Sequence, residues 1–534
     1  MQSDAGDLPS IAPAQVIKHL LDLGVPRTAA PETKESFEIH YFDLSSLKIR
    51  SSRFTSVVFS RKPPRTTELS LDDVDELISQ SESALATRVH TPGERRDEDG
   101  FVVLLQIGNL PSAVRARRSL PRHPRIVILD RSDCRSIQQS AKPSDALRII
   151  SKACALALGP LELSPYVMGA PAVGYRFFGR QALLKRVSAK SASITLIGTR
   201  RIGKTSLLHE MKRRFSMSNS DLLVAHLYGT NLDNTYEVLC RIIEDTFHAS
   251  RLARLQLDRD EKDLSNDLRK LVQSGKHQLA IFIDEFDHIL DWDAANNFRL
   301  LNLFRELAYS DACLFYFAGF RQTLKAVEDV NNPLYNFTSA ERIQPFQRHE
   351  TFEMVEPPLE NLGVPVTAAG LANLIHRESG GQPELIQYIC NKVLEIFSET
   401  NLVVTPDELS ARLTSDSKFE STIFRQFTQN LPHQELLSVL LFMRSLGEDM
   451  DTASVTFTAA ELIRGVQKFS THYGINIPLQ HSRELAGALE IAGVITRTGN
   501  RAPITYRFTV PRLGDYFMII GLENEIQRLA RLEA

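Results

Sequence analysis

The stretch LIGTRRIGKTSLLHEM, residues 196–211, constrains the fold of this chain more than any other segment. It fits the pattern G-x-x-x-x-G-K-[ST] at each fixed position, with Gly198, Gly203, Lys204 and Thr205. The β-branched run SITLI precedes the loop, and the helical pattern SLLHEMKRRF follows it. Strand, glycine-bounded loop and helix in this order predict an α/β fold, with the loop at the carboxyl end of a strand.

The residue types in this loop suit the binding of a nucleotide phosphate. Glycines let backbone N–H groups converge on phosphate oxygens, and the helix N-terminus adds the positive end of its dipole. Lys204 would reach the β- and γ-phosphates of ATP, and Thr205 would be a ligand of Mg²⁺. We expect nucleotide contacts from the whole loop: Gly198, Thr199, Arg200, Arg201, Ile202, Gly203, Lys204, Thr205 and Ser206. The two arginines lie at its tip, where a lid or a neighbouring subunit could also meet them.

A second motif, LAIFIDEFD at residues 279–287, is independent of the first. It reads as a buried strand that ends in Asp284 and Glu285, and parallel strands present ligands at their carboxyl ends. Asp284 would therefore hold Mg²⁺ through a water, and Glu285 would be the general base that polarises an attacking water. In the alternative interpretation, the two acids cap a helix beginning at Phe286, or Asp287 is the cap.

Length and composition indicate a soluble protein of several domains. The chain has 534 residues, 43% apolar and 24% charged, with a net charge of −3. Its five cysteines are widely spaced, which favours buried thiols in a reducing compartment. The N-terminus lacks the pattern of a signal peptide, and no apolar run approaches the roughly 20 residues that span a bilayer. We therefore expect a cytoplasmic protein without a membrane partner.

The order of strand and helix patterns divides the chain into five parts. Residues 1–35 hold one amphipathic stretch and a polar linker, and residues 36–160 predict a small, parallel α/β domain. Residues 161–345 predict the largest α/β unit, a P-loop NTPase core with a parallel sheet. Residues 346–430 read as a helical lid, and residues 431–534 have the pattern of a winged-helix domain.

The small N-terminal domain contains three apolar strand patterns, at residues 54–60, 101–107 and 125–130, with a helical pattern at 71–85 and a polar loop at 88–100. Asp130 and Asp133 follow the third strand, where an α/β fold would place a site. No second acid-plus-lysine pattern accompanies them to make a nuclease. Solvation of the strand end and capping of the next helix by Ser132 or Asp133 is the favoured interpretation.

Two flanking segments resemble those of STAND-class NTPases, which are related to AAA+ proteins. Phe177-Phe178-Gly179-Arg180-Gln181 is similar to the segment before the phosphate loop in that class, and Gly381-Gln382-Pro383 looks like its G-x-P motif. The resemblance covers residues 175–400 and, more weakly, the winged helix to 534. It implies that Phe178, Gly179 and Arg180 pack near the adenine and that Pro383 contacts the base from the lid. It also implies that Arg321, after the fourth strand, is a catalytic sensor of the γ-phosphate.

The same resemblance implies an ATP-dependent molecular switch. ADP would hold the lid and winged helix against the core, and exchange for ATP would permit self-association for signalling, regulation or defence. Slow hydrolysis by Glu285, with Lys204 and Arg321, would reset the switch. STAND proteins usually end in ligand-sensing repeats, and this sequence has none, so the trigger and the protein partner are unknown.

Two rival functions stay open at this point. A DNA-handling AAA+ ATPase, of the initiator or transposition-regulator kind, would use the winged helix to grip duplex. Residues 431–534 carry ten Lys/Arg and eleven Asp/Glu, which disfavours DNA. The candidate reading helix offers only Arg483 beside Glu484 and Glu490, while Arg497 and Arg501 on the wing could touch phosphate. Alternatively, residues 1–160 form a catalytic effector that the ATPase controls.

Two other features receive structural interpretations. Lys212, Arg213 and Arg214 follow the phosphate loop by about two helical turns, so we expect them on the solvated back of that helix. Trp292, in HILDW, is the single tryptophan of the chain, and we expect it to pack against the core.

Overall fold

The computed structural model describes residues 13–25, 27–34, 37–42, 48, 55–60, 74, 76, 102–105, 126–189, 192–218, 222–248, 260–273, 278–309, 313–366, 370–428, 431–447, 455–477, 479–498, 503–511, 513 and 521–533. The chain forms two compact units. Unit 1 comprises Met1–Val167, Phe352–Ala372 and Ile389–Ser410, and unit 2 comprises Met168–Thr351, Asn373–Tyr388 and Ala411–Ala534. Because both units are assembled from separate stretches, the five predicted domain limits stay a prediction.

Unit 1 is built on a mixed sheet of five strands in the order β1-β2-β3-β4-β5. The strands are β1 Arg27–Lys34, β2 Phe37–Phe42, β3 Thr55–Ser60, β4 Val102–Leu105 and β5 Ile126–Leu129. The last three lie within the predicted strands and pair in parallel, but β1–β2 and β2–β3 are antiparallel. The sheet is therefore not purely parallel as predicted. The polar composition of β1, which pairs with β2 in an irregular register, gave no strand pattern from which to predict the extra hairpin. The predicted loop at 88–100 and most of the predicted helix at 71–85 lie outside the described residues.

The described helices of the first 160 residues pack in the same unit. They are α1 Pro13–Asp22, α2 Arg131–Gln139 and α3 Pro143–Leu158. Asp130 caps α2: its carboxylate accepts the Asp133 amide at 3.0 Å and the Ser132 hydroxyl at 2.6 Å. The Asp133 carboxylate accepts the Asp130 amide in return, which closes a capping box. The pair therefore has a capping role, but the N-cap is the buried Asp130, and not Ser132 or Asp133 as predicted.

The core of unit 2 is a parallel sheet of five strands in the order β10-β6-β9-β8-β7. The strands are β6 Ile194–Ile197, β7 Leu222–Tyr228, β8 Gln278–Asp284, β9 Cys313–Gly319 and β10 Ser339–Arg342. The predicted α/β class and P-loop NTPase core are confirmed. From β6 the chain crosses β9 and β8 to reach β7 at one edge of the sheet, and it later places β10 on the other side of β6. The loop after β6 therefore lies where the strand order reverses.

Helices cover both faces of this sheet, and phenylalanines fill its core. The helices are α4 Gln181–Ala189, α5 Lys204–Ser218, α6 Thr235–His248, α7 Glu261–Gln273, α8 Asp287–Ala295, α9 Arg299–Ala308 and α10 Arg321–Glu328. The buried rings of Phe286 and Phe317 stack with centroids 4.1 Å apart. Trp292 packs against this cluster, and its indole N–H donates to the Leu232 carbonyl at 2.8 Å, so its predicted packing role is confirmed.

Residues 348–428 are helical, as predicted. The helices are α11 Arg348–Asn361, α12 Leu371–Ser379, α13 Pro383–Thr400, α14 Pro406–Thr414 and α15 Ser417–Thr428. Parts of α11 and α13 pack within unit 1, where the Tyr166 hydroxyl donates to the Met354 carbonyl at 2.9 Å and the Asn391 amide donates to the Tyr166 carbonyl at 2.8 Å. Residues 373–388, which include the start of α13, belong to unit 2.

The C-terminal region of unit 2, residues 431–533, combines helices with a three-stranded antiparallel sheet in the order β11-β13-β12. Its elements are α16 His433–Leu446, β11 Phe457–Thr458, α17 Ala459–His472, α18 Leu479–Ile491, β12 Ile495–Arg497, β13 Thr505–Phe508 and α19 Leu522–Glu533. Phe442, Phe457 and Phe508 form its aromatic core. Within the described ranges, every helix is too short or too polar to cross a membrane.

Two adjacent glycines join α12 to α13, and neither position has room for a side chain. Gly380 and Gly381 have φ of +57° and +74°. A Cβ on Gly380 would collide with the Thr509 carbonyl, and one on Gly381 with the Phe346 carbonyl. The Gly381 carbonyl also accepts the Phe346 amide at 2.7 Å. This turn therefore sits directly against both the C-terminal region and the segment that follows β10.

Replacing Gly380 with alanine should destabilise unit 2, because the new Cβ meets both a left-handed φ and a backbone carbonyl. We expect a loss of about 2–5 kcal/mol, measured as the urea midpoint by circular dichroism. Gly474→Ala is the matched control, since Gly474 has φ of +68° and open space around it, and it should cost about 1–2 kcal/mol. Equal midpoints for the two variants would contradict the close packing at Gly380.

Candidate nucleotide site

The glycine-bounded loop of residues 198–203 connects β6 to α5. Its first residue is anchored to the sheet, because the Gly198 amide donates to the Gly319 carbonyl of β9 at 3.3 Å. Gly203 has φ of +97°, which suits glycine, but Arg201 at the tip has φ of +61°. A non-glycine residue in this region stores roughly 1–3 kcal/mol of strain, and such residues concentrate at functional sites.

Lys204 starts α5, and its side chain turns back across the loop. Its ammonium donates to the carbonyls of Gly198 at 2.8 Å and Thr199 at 2.9 Å, and the residue is only 8% exposed. Burial lowers the pKa of Lys204, while the nearby carboxylates of Glu285 and Asp284 raise it. The lysine and the acids at the end of β8, predicted from separate motifs, therefore lie close enough for their charges to interact.

Asp284 and Glu285 end β8 in different environments. Asp284 is 2% exposed, and its carboxylate accepts the Glu285 amide at 3.0 Å. Glu285 is half-buried with φ of +51°, and its carbonyl lies against Gly229, where a Cβ would collide with it. Thr205, the second residue of α5, and Asp284 offer hydroxyl and carboxylate oxygens, the ligand types that suit Mg²⁺.

Asp287 has a different role from either alternative that the sequence left open. It begins α8, and the residue before that helix makes no side-chain capping bond. Its carboxylate instead accepts the amides of Phe320 at 2.6 Å and Thr323 at 3.0 Å, so it caps α10. The interpretation of these acids as caps of their own helix is therefore wrong. Asp287 ties the end of β8 to the helix that begins with Arg321.

Arg321 contacts a carboxylate of the C-terminal region. Its guanidinium makes a two-pronged ion pair with Glu435 of α16, at 2.7 and 2.6 Å, and stacks 5.5 Å from the Phe320 ring centre. The side chain of Glu435 is 8% exposed and that of Arg321 is 26% exposed. The predicted γ-phosphate sensor is therefore at the expected edge of the sheet, with its donors directed to Glu435.

Arg180 lies behind the loop. It is 7% exposed, and its guanidinium donates to the carbonyls of Ile202 at 2.7 Å and Gln344 at 3.0 Å. Burial lowers its pKa to about 10, although Glu350 acts in the opposite direction. Phe178 is also buried, and Gly179, with φ of +62°, packs against Phe346. These contacts make Arg180 a brace for the loop, a role that the sequence did not indicate.

The start of α13 meets the loop tip. Arg201 donates to both carboxylate oxygens of Glu384, at 2.8 and 3.0 Å. Glu384 follows Pro383, the first residue of α13, so the predicted base-contacting proline is brought close to the loop. Arg200 is exposed beside it. The contact between the predicted lid and the loop tip, which the sequence left as one option, is present.

The back of α5 is organised around a buried acid that sequence reasoning missed. Glu210 accepts Arg213 at 2.7 Å, Arg214 at 2.9 Å and the Gly174 amide at 2.9 Å. Ser206 accepts the Ala172 amide at 3.0 Å, so α5 holds the preceding extended segment in place. Arg213 and Arg214 are 41% and 37% exposed, in line with the predicted solvated back of this helix, and both also hold Glu210. Their i+3 and i+4 spacing from Glu210 was the available signal.

A cavity of about 270 Å³ opens beside the loop within unit 2. Thr199 and Ile202 line it from the loop, Gln344 from the segment after β10, and Gln382 from the turn before α13. Gly493, which follows α18, also lines the cavity, and a Cβ there would lie 3.2 Å from Thr199. The loop, the predicted lid and the C-terminal region thus enclose one space.

The pKa of Glu210 gives a pH-dependent test of this arrangement. Burial alone would raise it, but the bonds from Arg213, Gly174 and Arg214 lower it to about 2, against 4.5 unperturbed. Glu210 therefore stabilises the fold above about pH 4.5, and the contribution is lost as pH falls toward 2. Glu210→Gln should lower the thermal midpoint clearly at pH 7 and much less at pH 3. Glu244→Gln, from an exposed pair with Arg241, should have little effect at either pH, and a Glu210→Gln deficit independent of pH would contradict the assignment.

Comparisons with known proteins give one family match and several remote structural likenesses. The family model described as "AAA domain" matches residues 188–322. No curated protein matches the sequence. Among solved structures, the Aeropyrum pernix ORC2 protein in ADPNP–ADP complexes is 16% identical, with 66% of this chain and 93% of that chain covered and a TM-score of 0.45. The Walker-type ATPase paby2304 of Pyrococcus abyssi is 13% identical, with 66% and 99% covered and a TM-score of 0.46.

A Drosophila ORC structure bound to DNA is 12% identical, with 83% of this chain and 99% of that chain covered and a TM-score of 0.34. At these scores the structural likenesses are too remote to assign a function. The conclusion therefore comes from the family match, the sheet order and the loop geometry. Residues 188–322 match the AAA domain model, and they have the parallel sheet and the glycine-bounded loop of the P-loop NTPase fold.

Proposed function

We propose that this protein is an ATP-binding and slowly hydrolysing molecular switch of the STAND class. The observation that carries the proposal is that the start of α13 and the C-terminal region both contact the loop that precedes Lys204. Glu384 pairs with Arg201, and Gly493 lies against Thr199. A nucleotide at this loop would therefore be sensed by two elements outside the AAA domain.

The loop supplies the groups that bind a triphosphate. The ammonium of Lys204 would exchange its bonds to the Gly198 and Thr199 carbonyls for phosphate oxygens, while the start of α5 offers backbone donors. Thr205 and the buried Asp284 would hold Mg²⁺, which would neutralise charge on the phosphates. Glu285, at the mouth of the same turn, would orient and deprotonate the attacking water.

The cavity beside the loop is the proposed base site. Its volume of about 270 Å³ is near the lower end of ligand pockets, roughly 300–1,000 Å³. Gln382, which precedes Pro383, lines the cavity. Ile202 and Gln344 also line it, and the carbonyls of both accept hydrogen bonds from Arg180. In this arrangement Phe178, Gly179 and Arg180 shape the site from behind, and Pro383 reaches the base from the lid.

Exchange of ADP for ATP would open the closed arrangement and permit self-association. The C-terminal elements, with their helices and β11-β13-β12 sheet, follow the order of a winged helix, and we propose that they form the domain that keeps the ATPase closed. We propose that the protein acts in the cytoplasm in signalling, regulation or defence, and that residues 1–160 carry the partner-binding or effector function.

A DNA-handling ATPase is the second candidate, and the winged-helix order of residues 431–533 is the observation that favours it. Against it, Arg497 is held by Glu490 at 2.8 Å, and the region has a net charge of −1. Arg501 lies outside the described residues. Titration with duplex DNA at several salt concentrations distinguishes the two candidates, since DNA binding through phosphates weakens steeply with salt.

Lys204→Ala should abolish both nucleotide binding and nucleotide-dependent assembly, because it removes the charge that faces the phosphates. Calorimetry measures the affinity, and light scattering measures the mass with ADP and with a non-hydrolysable ATP analogue. Lys212→Ala, further along α5, is the control and should behave like the wild type. Micromolar ATP affinity in Lys204→Ala would contradict the loop assignment, and an unchanged wild-type mass with either nucleotide would contradict the switch.

Glu285→Gln should bind ATP normally but hydrolyse it about 10²–10⁴-fold more slowly, because the amide cannot accept a proton from water. Single-turnover hydrolysis of bound ATP measures the rate apart from exchange. Asp291→Asn, an exposed position on α8, the helix that follows Glu285, should hydrolyse at the wild-type rate. Hydrolysis by Glu285→Gln at the parental rate would exclude Glu285 as the base.

A further inference from the structure

The ion pair between Arg321 and Glu435 joins two parts of unit 2 that are 114 residues apart in sequence. Arg321 is the first residue of α10, at the carboxyl edge of the parallel sheet, and Glu435 is in the first turn of α16. Both carboxylate oxygens are engaged, at 2.7 and 2.6 Å. This two-pronged geometry is the strongest form of contact between these side chains.

The position of Arg321 is fixed relative to the phosphate loop. The Gly319 carbonyl, two residues before Arg321, accepts the Gly198 amide of the loop at 3.3 Å, and Asp287 holds the start of α10 against the end of β8. The guanidinium therefore extends from a backbone that cannot move independently of the loop. A change of partner at Arg321 must come from its side chain or from α16.

The burial of Glu435 limits which groups can replace it as the partner of Arg321. With Glu435 only 8% exposed, a carboxylate that lost Arg321 would remain partly desolvated unless α16 moved into water. Arg321 in turn needs an anion with at least two oxygens to replace the pair. A terminal phosphate group meets that requirement, whereas a diphosphate that ends one phosphate earlier does not extend as far.

We infer that Glu435 is an internal competitor for Arg321, which the γ-phosphate of ATP displaces and ADP does not. The inference rests on the proposed binding of ATP at the loop. In this inference, the C-terminal region is released when the γ-phosphate of the ligand replaces the Glu435 carboxylate of α16 as the partner of Arg321. The lid contact of Arg201 with Glu384 is separate from it and involves a different helix.

Thermodynamic linkage makes this inference quantitative. If ATP weakens the hold of Glu435 on Arg321, then removing the charge of Glu435 must strengthen ATP binding by a corresponding factor. ADP binding should not change, because ADP does not compete for Arg321. A merely structural ion pair would instead weaken both nucleotides together, through loss of folded protein.

The test compares the full-length wild type with Glu435→Gln, which keeps the shape of the side chain and removes its charge. We expect Glu435→Gln to bind a non-hydrolysable ATP analogue at least tenfold more tightly and to bind ADP with unchanged affinity, by calorimetry. Without nucleotide, amides of α16 should exchange hydrogen at least tenfold faster in the variant. In the wild type, the ATP analogue should produce the same acceleration and ADP should not.

Glu523→Gln is the matched control. Glu523 accepts Arg444 of the same helix α16 at 3.3 Å, but it belongs to α19 of the C-terminal region and not to the AAA domain. It should leave both nucleotide affinities unchanged. If Glu435→Gln unfolds, as judged by circular dichroism, Glu435→Asp retains the charge on a shorter side chain and should show the same selective gain for the ATP analogue to a smaller degree.

The outcomes separate this inference from the proposed function. Equal gains or losses for ADP and the ATP analogue, or slow exchange in α16 with the analogue bound to the wild type, would overturn the competition while leaving nucleotide binding intact. Absence of any nucleotide binding by the wild type would overturn the proposed function itself, and this inference with it.

Discussion

The buried ammonium of Lys204 is the interaction on which the rest of the site depends. A cation that is 8% exposed needs fixed partners, and the loop carbonyls and the acids after β8 supply them. The carbonyls follow β6 and the acids end β8, while Lys204 itself begins α5, so the charge fixes how two strands and one helix approach one another. Arg180 supports the same loop from behind, through the Ile202 carbonyl. The geometry of the loop is thus determined before any ligand arrives.

Local motifs made much of this site predictable from sequence. The loop and the acids after β8 lie at strand ends, and the parallel topology brings such ends to one edge. The proximity of the acids to Lys204 could therefore be predicted from local motifs and the parallel sheet alone. The apolar runs likewise predicted four strands of the core, β6 to β9, whereas the polar sequences of β10, SAER, and β1, RTAAPETK, carry no such signal.

The interactions that sequence reasoning missed are long-range or depend on side-chain direction. Glu435 is 114 residues from Arg321, and nothing in either segment indicates the other. The capping of α10 by Asp287 depends on the path of the chain after β9, which the spacing of acids cannot reveal. The place of Arg180 near the adenine stays a prediction from resemblance, whereas its bonds to two backbone carbonyls, which support the loop, had no signal in the sequence. Tertiary packing decides such roles.

The strained tip of the loop has a consequence for the kinetics of nucleotide exchange. Arg201 is held at φ of +61° while Glu384 engages its guanidinium, and strain of this kind persists only where the surroundings impose it. Departure of α13 would remove one of those restraints, and the tip could relax away from the shape that fits a phosphate. Entry and exit of the ligand would then share a single barrier, set by how often this helix lifts. Residence time would therefore be set from outside residues 188–322 without a matching change in affinity, because a shared barrier alters the rates of entry and exit equally.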